Sequence, residues 1–280
     1  MFRAAPPLAC AVLAVATGFG FSPLGHAASP EPAPVAAAWK ALADSRAKDA
    51  FFQLHGQEPG SDRERELARA TAMLDAQPVT NERLREAGRI FQQVAEGDDE
   101  LAQIATYLQG RLYQAHLTPH DYKRAAEFYR TTAERWPTSH WGQLSIVKLA
   151  MFQLYVTREP AEISARLKTV AQALDRLSEP GLRRDLHLQI GQAGTFFGAP
   201  LPEVLPHLEA ADAIGGLGVL TQKDLVAQLG ELSFRAGRWA DARKYFQRYL
   251  AAYSDVRKFT VEQRLRETEA RLAGHQEDAR

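Results

Sequence analysis

The chain has 280 residues, of which 45% are hydrophobic and 24% are charged, as in a folded soluble protein. Its 34 basic and 34 acidic residues give a formal charge of zero, which argues against a protein that binds nucleic acid through a basic surface. The length corresponds to about two ordinary domains, although an array of repeats can form one continuous body of this size.

The N-terminus has the three parts of a secretory signal peptide. Arg3 provides the positive charge, and residues 8–21 form the apolar run. Gly25 and Ala27 are small residues at the two positions that a signal peptidase recognises. We therefore expect a signal peptide at residues 1–27, with cleavage after the next residue as a near alternative, and a secreted protein.

Two other interpretations of this segment fit less well. A retained membrane anchor would need about 20 apolar residues, and the run is shorter than that. A lipoprotein signal would place the apolar run before Cys10, whereas the run lies after it. No membrane span is therefore expected after signal cleavage.

The cysteine and asparagine content indicates the compartment. Cys10 is the only cysteine, and it would leave with the signal peptide. The exported chain would then have no disulfide and no thiolate metal site. Asn81 is followed by Glu-Arg, so the chain has no N-glycosylation sequon. These features favour a bacterial periplasm over a eukaryotic secretory route.

A short linker and a set of N-terminal helices are expected next. Residues 28–34 are rich in proline and should be extended. The apolar pattern from Val35 to Leu54 predicts one long helix. Ser61 is the expected N-cap of the next helix, with Glu64 completing a capping box. We expect these helices, with a degenerate repeat, to fill residues 35–97.

Helical patterns continue through residues 98–256, where proline and glycine mark the expected helix ends. Pro160 is expected to begin a helix, and Pro180-Gly181 to end the pair that contains it. Pro202 suits the opening turn of a later helix. Residues 257–280 are expected to form a polar capping helix and a tail.

Lys223–Val256 is the clearest helix pair in the sequence. Its apolar positions recur every three or four residues: Leu225, Leu229 and Leu232 in the first helix, and Ala242, Phe246 and Leu250 in the second. Gly237 breaks the pattern between the two helices. Two short amphipathic helices cannot bury their apolar faces alone, so this unit needs neighbours of the same kind.

This segment resembles a tetratricopeptide (TPR) repeat through Leu229-Gly230, Gly237 and Ala242-x3-Phe246. The small residues are expected where the paired helices cross closely, with Phe246 filling the gap towards the adjoining unit. The resemblance implies an all-α fold. It implies an α-solenoid of about five TPR-like helix pairs, with an entry helix and a C-terminal capping helix.

In TPR proteins the first helix of each pair lines a concave groove that binds the partner. The resemblance places eight residues of this chain on that groove: Tyr107, Arg111, Gln114, Gln192, Thr195, Glu231, Phe234 and Arg235. Arginine offers a planar fork that recognises carboxylates, and aromatic side chains add rigid contact area. The alternative is that these are ordinary exposed helix residues.

These features favour a non-enzymatic, exported TPR-like adaptor that binds a protein or an extended peptide. The sequence looks most like the TPR domains of Gram-negative envelope proteins, so we expect a role in cell-envelope assembly. A structural subunit of an envelope complex and an enzyme acting on the cell wall are the alternatives. No cofactor and no nucleic-acid partner are expected.

Two short motifs contain residue types that suggest chemistry. Ser145-x2-Lys148 matches the serine and lysine of penicillin-binding enzymes, but no Lys-Thr-Gly motif follows. His116, His120 and Asp121 are metal-binding residue types, but a proline separates the histidines, and Asp121 is expected to cap a helix. The other histidines are scattered singly. We therefore predict no catalytic residue and no metal ligand.

Overall fold

The computed structural model describes residues 33–54, 62–156, 162–253 and 257–278. Every regular element in these ranges is a helix, so the all-α prediction is confirmed for the part of the chain that the structure describes. None of these helices is long and apolar enough to cross a membrane. The expected signal peptide and Pro160 lie outside the described residues.

The chain divides into two compact units, of which unit 1 ends at Glu96 and unit 2 begins at Gly97. The described helices of unit 1 are α1 (Ala33–Ala43), α2 (Ala47–Leu54), α3 (Arg63–Asp75) and α4 (Asn81–Val94). Each packs on the next, and α1 also contacts α3. Leu67 and Phe91 are fully buried, so the apolar faces of these helices form the core of the unit.

The prediction of one long helix from Val35 to Leu54 is wrong, because the chain turns between α1 and α2. Ser45 has a φ of 58°, the left-handed conformation that often ends a helix. Its N–H donates to the Leu42 carbonyl at 3.0 Å, and the Arg46 N–H donates to the Ala41 carbonyl at 2.7 Å. A serine where glycine is usual hid this helix end in the sequence.

The start of α3 lies one residue later than predicted. Asp62 is the N-cap, since its carboxylate accepts hydrogen bonds from the backbone N–H groups of Glu64 and Arg65 at 3.1 and 3.2 Å. Ser61 lies outside the described residues. The Glu64 side chain accepts a hydrogen bond from the Trp39 indole at 3.0 Å, and so joins α3 to α1.

Unit 2 is a chain of helices in which each packs on the next. They are α5 (Glu100–Arg111) with a π-helical turn (Leu112–His116), α6 (Tyr122–Arg135), α7 (His140–Tyr155), α8 (Ile163–Ala171) with a 3-10 turn (Gln172–Arg176), α9 (Pro180–Phe197), α10 (Leu201–Ile214), α11 (Val219–Arg235), α12 (Trp239–Ala252) and α13 (Lys258–Asp278). In addition, α5 contacts α7, α7 contacts α9, and α11 contacts α13. We call α5, α7, α9, α11 and α13 the first helices.

Pro180 and Gly181 begin α9 instead of ending the preceding pair, so that prediction is wrong. Proline is favoured in the first turn of a helix, where its missing N–H needs no partner. The Oε1 of Gln143 in α7 accepts hydrogen bonds from the backbone N–H groups of Ser178 and Glu179, at 2.7 and 3.0 Å. A side chain of one first helix thus holds the start of the next.

Other helix ends follow the sequence more closely. Pro202 lies in the first turn of α10, and Asp121 caps α6 by accepting from the Arg124 N–H at 2.9 Å, both as predicted. Gly237, with a φ of 72°, separates α11 from α12 as predicted. The last helix is longer than the sequence pattern from about Thr260 suggested.

Small residues let the paired helices of unit 2 approach closely. A Cβ atom at Gly230 of α11 would lie 2.5 Å from Cε1 of Phe246, and one at Gly110 of α5 would lie 2.6 Å from Cε1 of Tyr129. Neither position has room for a methyl group, so the prediction of a close crossing at Gly230 is confirmed. In α7 the corresponding residue is Ser145, which is fully buried.

This packing predicts the effect of adding one methyl group. Gly230→Ala should lower the free energy of unfolding by about 1–3 kcal/mol, because the new Cβ overlaps the Phe246 ring. Gly181→Ala is the matched control, since a Cβ there meets nothing within 4 Å. We expect the control to change stability by no more than about 1 kcal/mol, in the stabilising direction. Urea unfolding measures the stability of both variants and of wild type. A Gly230→Ala protein as stable as wild type would contradict the close crossing.

Candidate partner-binding surface

Side-chain contacts hold the first helices of unit 2 next to one another. They are the Tyr107–Trp141 ring contact at 5.2 Å between centroids (α5 to α7), the Gln143–Ser178 hydrogen bond at 2.7 Å (α7 to the start of α9), the Gln228–Thr195 hydrogen bond at 3.3 Å (α11 to α9) and the Glu231–Arg264 ion pair at 3.0 Å (α11 to α13). The polar residues of these helices therefore form a series that we call the first-helix row. Its members are Arg111, Lys148, Asp185, Gln189, Gln192, Thr195, Gln228, Glu231 and Arg264.

Tyr107 does not belong to this surface, although the sequence placed it on the groove. Only 3% of its surface is exposed, because its ring packs against Tyr129 at 5.4 Å and Trp141 at 5.2 Å between centroids. Burial raises the pKa of the Tyr107 hydroxyl to about 12. The residue is part of the core, since the contact between α5 and α7 covers it.

Gln114 and Arg111 follow Tyr107 along α5 and its π-helical turn, and both are half-buried. The Oε1 of Gln114 accepts a hydrogen bond from the buried Tyr129 hydroxyl at 2.6 Å, so Gln114 supports the core. Arg111 brings a positive charge close to Tyr107, Tyr129 and Lys148. Of the three residues predicted on this helix, Arg111 is the one that contributes charge to the first-helix row.

Lys148 of α7 is one of five residues of the first-helix row that the sequence did not place on the groove, together with Asp185, Gln189, Gln228 and Arg264. It is half-buried, and burial and then the Arg111 guanidinium lower the pKa of its ammonium to about 8, while Asp185 acts in the opposite direction. Within the described part of the chain the ammonium has no hydrogen bond and no ion pair. A half-buried cation without a bonded carboxylate costs stability. The available signal was a lysine in an otherwise apolar helix.

The nearest carboxylate to Lys148 is already engaged. Asp185 is buried, and its Oδ1 accepts hydrogen bonds from Nε and Nη2 of Arg184 at 2.9 and 2.7 Å. One turn further along α9, the Oε1 of Gln189 is buried and has no hydrogen-bond partner among the described residues. The same holds for the Oγ of Ser145, one turn before Lys148. Unpartnered polar atoms therefore lie one turn from Lys148 on α7 and one turn from Asp185 on α9.

The two predicted residues of α9 lie towards its C-terminal end and are half-buried. Thr195 donates its hydroxyl hydrogen to the Gly191 carbonyl at 2.9 Å and accepts from the Gln228 amide at 3.3 Å. It therefore connects α9 with α11. Gln192 lies in the turn before Thr195 and adds an amide to the same stretch of the row.

The predicted residues of α11 differ in how α13 covers them. Arg264 of α13 binds Glu231 with Nε to Oε2 at 3.0 Å, and its guanidinium lies 5.0 Å from the centre of the Phe234 ring. Phe234 also contacts the Trp239 ring at 5.1 Å between centroids. Arg235 remains exposed. Thus α13 occupies part of the surface that the TPR resemblance assigned to a partner.

His120 and Asp121, which the sequence analysis considered and rejected as metal ligands, have ordinary structural roles. His120 Nδ1 lies 2.9 Å from the Leu117 carbonyl oxygen, and Asp121 caps α6. Among the described residues, no group of three or more histidine, cysteine, aspartate or glutamate side chains is arranged to hold a metal ion. The chemistry of this surface is therefore that of charged and amide side chains.

No protein-family model matches the chain, and no curated protein matches it. The resemblance to TPR repeats depends on the residues quoted for it above. The candidate surface depends on the contacts of the first helices, and Lys148 is its most unusual member.

The lowered pKa of Lys148 should give the stability of the protein an unusual dependence on pH. The pKa of this group falls from 10.5 to about 8 on folding, so at pH 7 both states are protonated and the folded state carries the full cost of the buried charge. The cost is lost as the pH rises from about 8 to 10.5, because the folded state releases its proton first. Lys148→Met should therefore raise the free energy of unfolding at pH 7 by about 1–3 kcal/mol.

The comparison uses urea unfolding of both proteins at several pH values. The gain from Lys148→Met should shrink towards zero near pH 10.5. Lys168→Met, which removes an exposed lysine of α8, is the control and should change stability little at any pH. A Lys148→Met protein that is less stable than wild type at pH 7 would show that the lysine is not held at a cost.

Proposed function

We propose that unit 2 is a TPR-like array whose first-helix row binds a segment of another protein that carries a carboxylate. The observation that carries this proposal is Lys148, a half-buried ammonium beside Arg111 with no bonded carboxylate in the described part of the chain. A bound carboxylate would compensate the charge of the Lys148 ammonium. The protein acts in this proposal as an adaptor and catalyses no reaction.

The two cations would contact a carboxylate in different ways. Arg111 offers a planar fork of donors, whereas Lys148 offers a compact point charge with three donors. Charge-assisted hydrogen bonds of this kind are stronger than neutral ones. A half-buried charge lowers the stability of the free protein, and a bound carboxylate would neutralise it. Functional surfaces often lower the stability of the fold in this way in order to bind a partner.

The array architecture is part of the same proposal. Close crossings at Gly110, Gly191 and Gly230 support successive helix pairs of one kind. The contact of Arg264 with Glu231 supports α13 as the capping helix of the last pair. On this basis we propose that unit 2 is an α-solenoid of TPR-like pairs, namely α5 with α6, α7 with α8, α9 with α10 and α11 with α12.

We also propose that the protein is exported to a bacterial periplasm and acts in the cell envelope. The support is the sequence of residues 1–27 and the absence of cysteine from the chain after it. The proposal predicts that N-terminal sequencing of the protein from the envelope fraction begins at Ala28 or Ser29. Recovery of chains that begin at Met1 would contradict export by cleavage.

Selection of peptides tests the binding proposal directly. Random peptides displayed on phage are selected on the immobilised full chain, and we expect the retained peptides to share an acidic residue. Arg111→Gln and Lys148→Met should each weaken the binding of these peptides by about tenfold, which corresponds to about 1.4 kcal/mol. Arg243→Gln, at an exposed position of α12, is the control for general loss of positive charge.

Two results would count against the proposal. Selected peptides without a shared acidic residue would show that the bound segment needs no carboxylate. Peptides that bind Lys148→Met and wild type equally well would place binding away from the first-helix row. Circular dichroism of each variant shows that any loss of binding does not come from unfolding.

A structural subunit of an envelope complex is the second candidate function, and an exposed aromatic cluster favours it. Phe196 is 70% exposed at the end of α9 and packs against Phe197 with 4.8 Å between ring centroids. Tyr155 of α7 lies 6.0 Å from Phe197. A cell-wall enzyme has less support, because Asp185 and Glu231 of the first-helix row are both bound to arginine.

A further inference from the structure

Two histidines that are far apart in the sequence meet between α9 and α10. The Nδ1 atoms of His187 and His207 lie 3.0 Å apart, and the ring centroids lie 5.1 Å apart with an angle of 43° between the planes. Both side chains are half-buried. At this distance the two nitrogens share one hydrogen atom, which one imidazole donates and the other accepts.

The packing of the two helices fixes the distance between the histidines. Gly191, one turn after His187, faces the Leu208 side chain, and a Cβ at Gly191 would overlap it. Leu208 is the neighbour of His207 in the chain. A Cβ at Gly194 would likewise lie 2.7 Å from Val204. Since neither helix can slide without a clash or a gap, the histidine pair is held in place before any ligand binds.

The distance between the two nitrogens fits a metal ion whose ligands lie at right angles. Imidazole nitrogens bind a divalent ion at about 2.0–2.1 Å, so a right angle at the ion places the two nitrogens about 2.9 Å apart, and a tetrahedral angle about 3.4 Å apart. The observed separation of 3.0 Å agrees with the right angle. Right angles occur in octahedral and in tetragonal coordination, and among the divalent first-row ions Cu²⁺ binds a given nitrogen site most tightly.

We propose that His187 and His207 bind a divalent transition-metal ion, Cu²⁺ by preference, in two adjacent positions of a tetragonal site. Water fills the remaining positions, because the described residues supply no group of three or more protein ligands. On metal binding, the imidazole that carries the shared proton on Nδ1 takes the tautomer protonated on Nε2, so that both Nδ1 atoms offer a lone pair to the ion. The site is independent of the first-helix row and of the partner proposed for it.

One cation lies close to the histidine pair. The Arg183 guanidinium is near His187 and opposes the charge of the ion. Its Nη1 donates to the carbonyls of Leu174 and Leu177 at 2.8 and 3.2 Å. We therefore expect an exchangeable ion and not a permanent structural metal.

Titration of the full chain with Cu²⁺ tests the proposal. Calorimetry should show one equivalent bound to wild type, and electron paramagnetic resonance should show splitting from two imidazole nitrogens. His187→Gln and His207→Gln should each abolish the binding of this equivalent and the two-nitrogen splitting. His120→Gln and His140→Gln are matched controls at exposed histidines that contact Leu117 and Glu179, and both should retain the binding and the splitting. Binding with two-nitrogen splitting in the His187→Gln, His207→Gln double variant would overturn the proposal.

A measurement on wild type keeps the test valid if a variant fails to fold. In a ¹⁵N-labelled sample, substoichiometric Cu²⁺ should first broaden the amide signals around His187 and His207, because a paramagnetic ion relaxes nearby nuclei. Broadening centred on other residues, or no binding at all, would show that the pair is only a hydrogen-bonded contact.

Discussion

The close approach of paired helices at a small residue is the constraint on which unit 2 depends. Gly110 and Gly230 each face an aromatic ring of the following helix, with no room for a side chain. Such a crossing commits one face of each first helix to its partner. Another face then contacts the neighbouring first helices, as the Tyr107–Trp141 contact shows for α5 and α7. The polar residues at and beside these contacts form the first-helix row.

Much of this organisation could be predicted from the sequence, because helix periodicity and small residues are local signals. The ends of the helices were harder to predict where one residue type occurs in two kinds of backbone conformation. Ser45 ends a helix in a conformation usually given to glycine, and Pro180 begins a helix although Pro-Gly also marks turns. Boundaries of this kind depend on backbone conformation and on partners such as Gln143, which lies far away in the sequence.

The candidate site was less predictable, because it depends on contacts between helices. The resemblance to TPR repeats placed Tyr107 on a groove, and only the packing of α7 shows that it is core. Lys148 looked like half of a serine and lysine motif, and its significance comes from Arg111 on another helix. His187 and His207 looked like single histidines because the pairing of α9 with α10 brings them together. Charge and metal chemistry thus emerge from tertiary structure.

The packing of α5, α7 and α9 half-buries the Lys148 ammonium beside Arg111, and no carboxylate among the described residues is bonded to that ammonium. The most direct measurement is an NMR titration of the protein with ¹³C-labelled lysine, in which the Lys148 signal is assigned by its loss in Lys148→Met. This one signal should titrate near pH 8. A Lys148 signal that titrates near pH 10.5 would contradict the enclosure and the binding surface inferred from it.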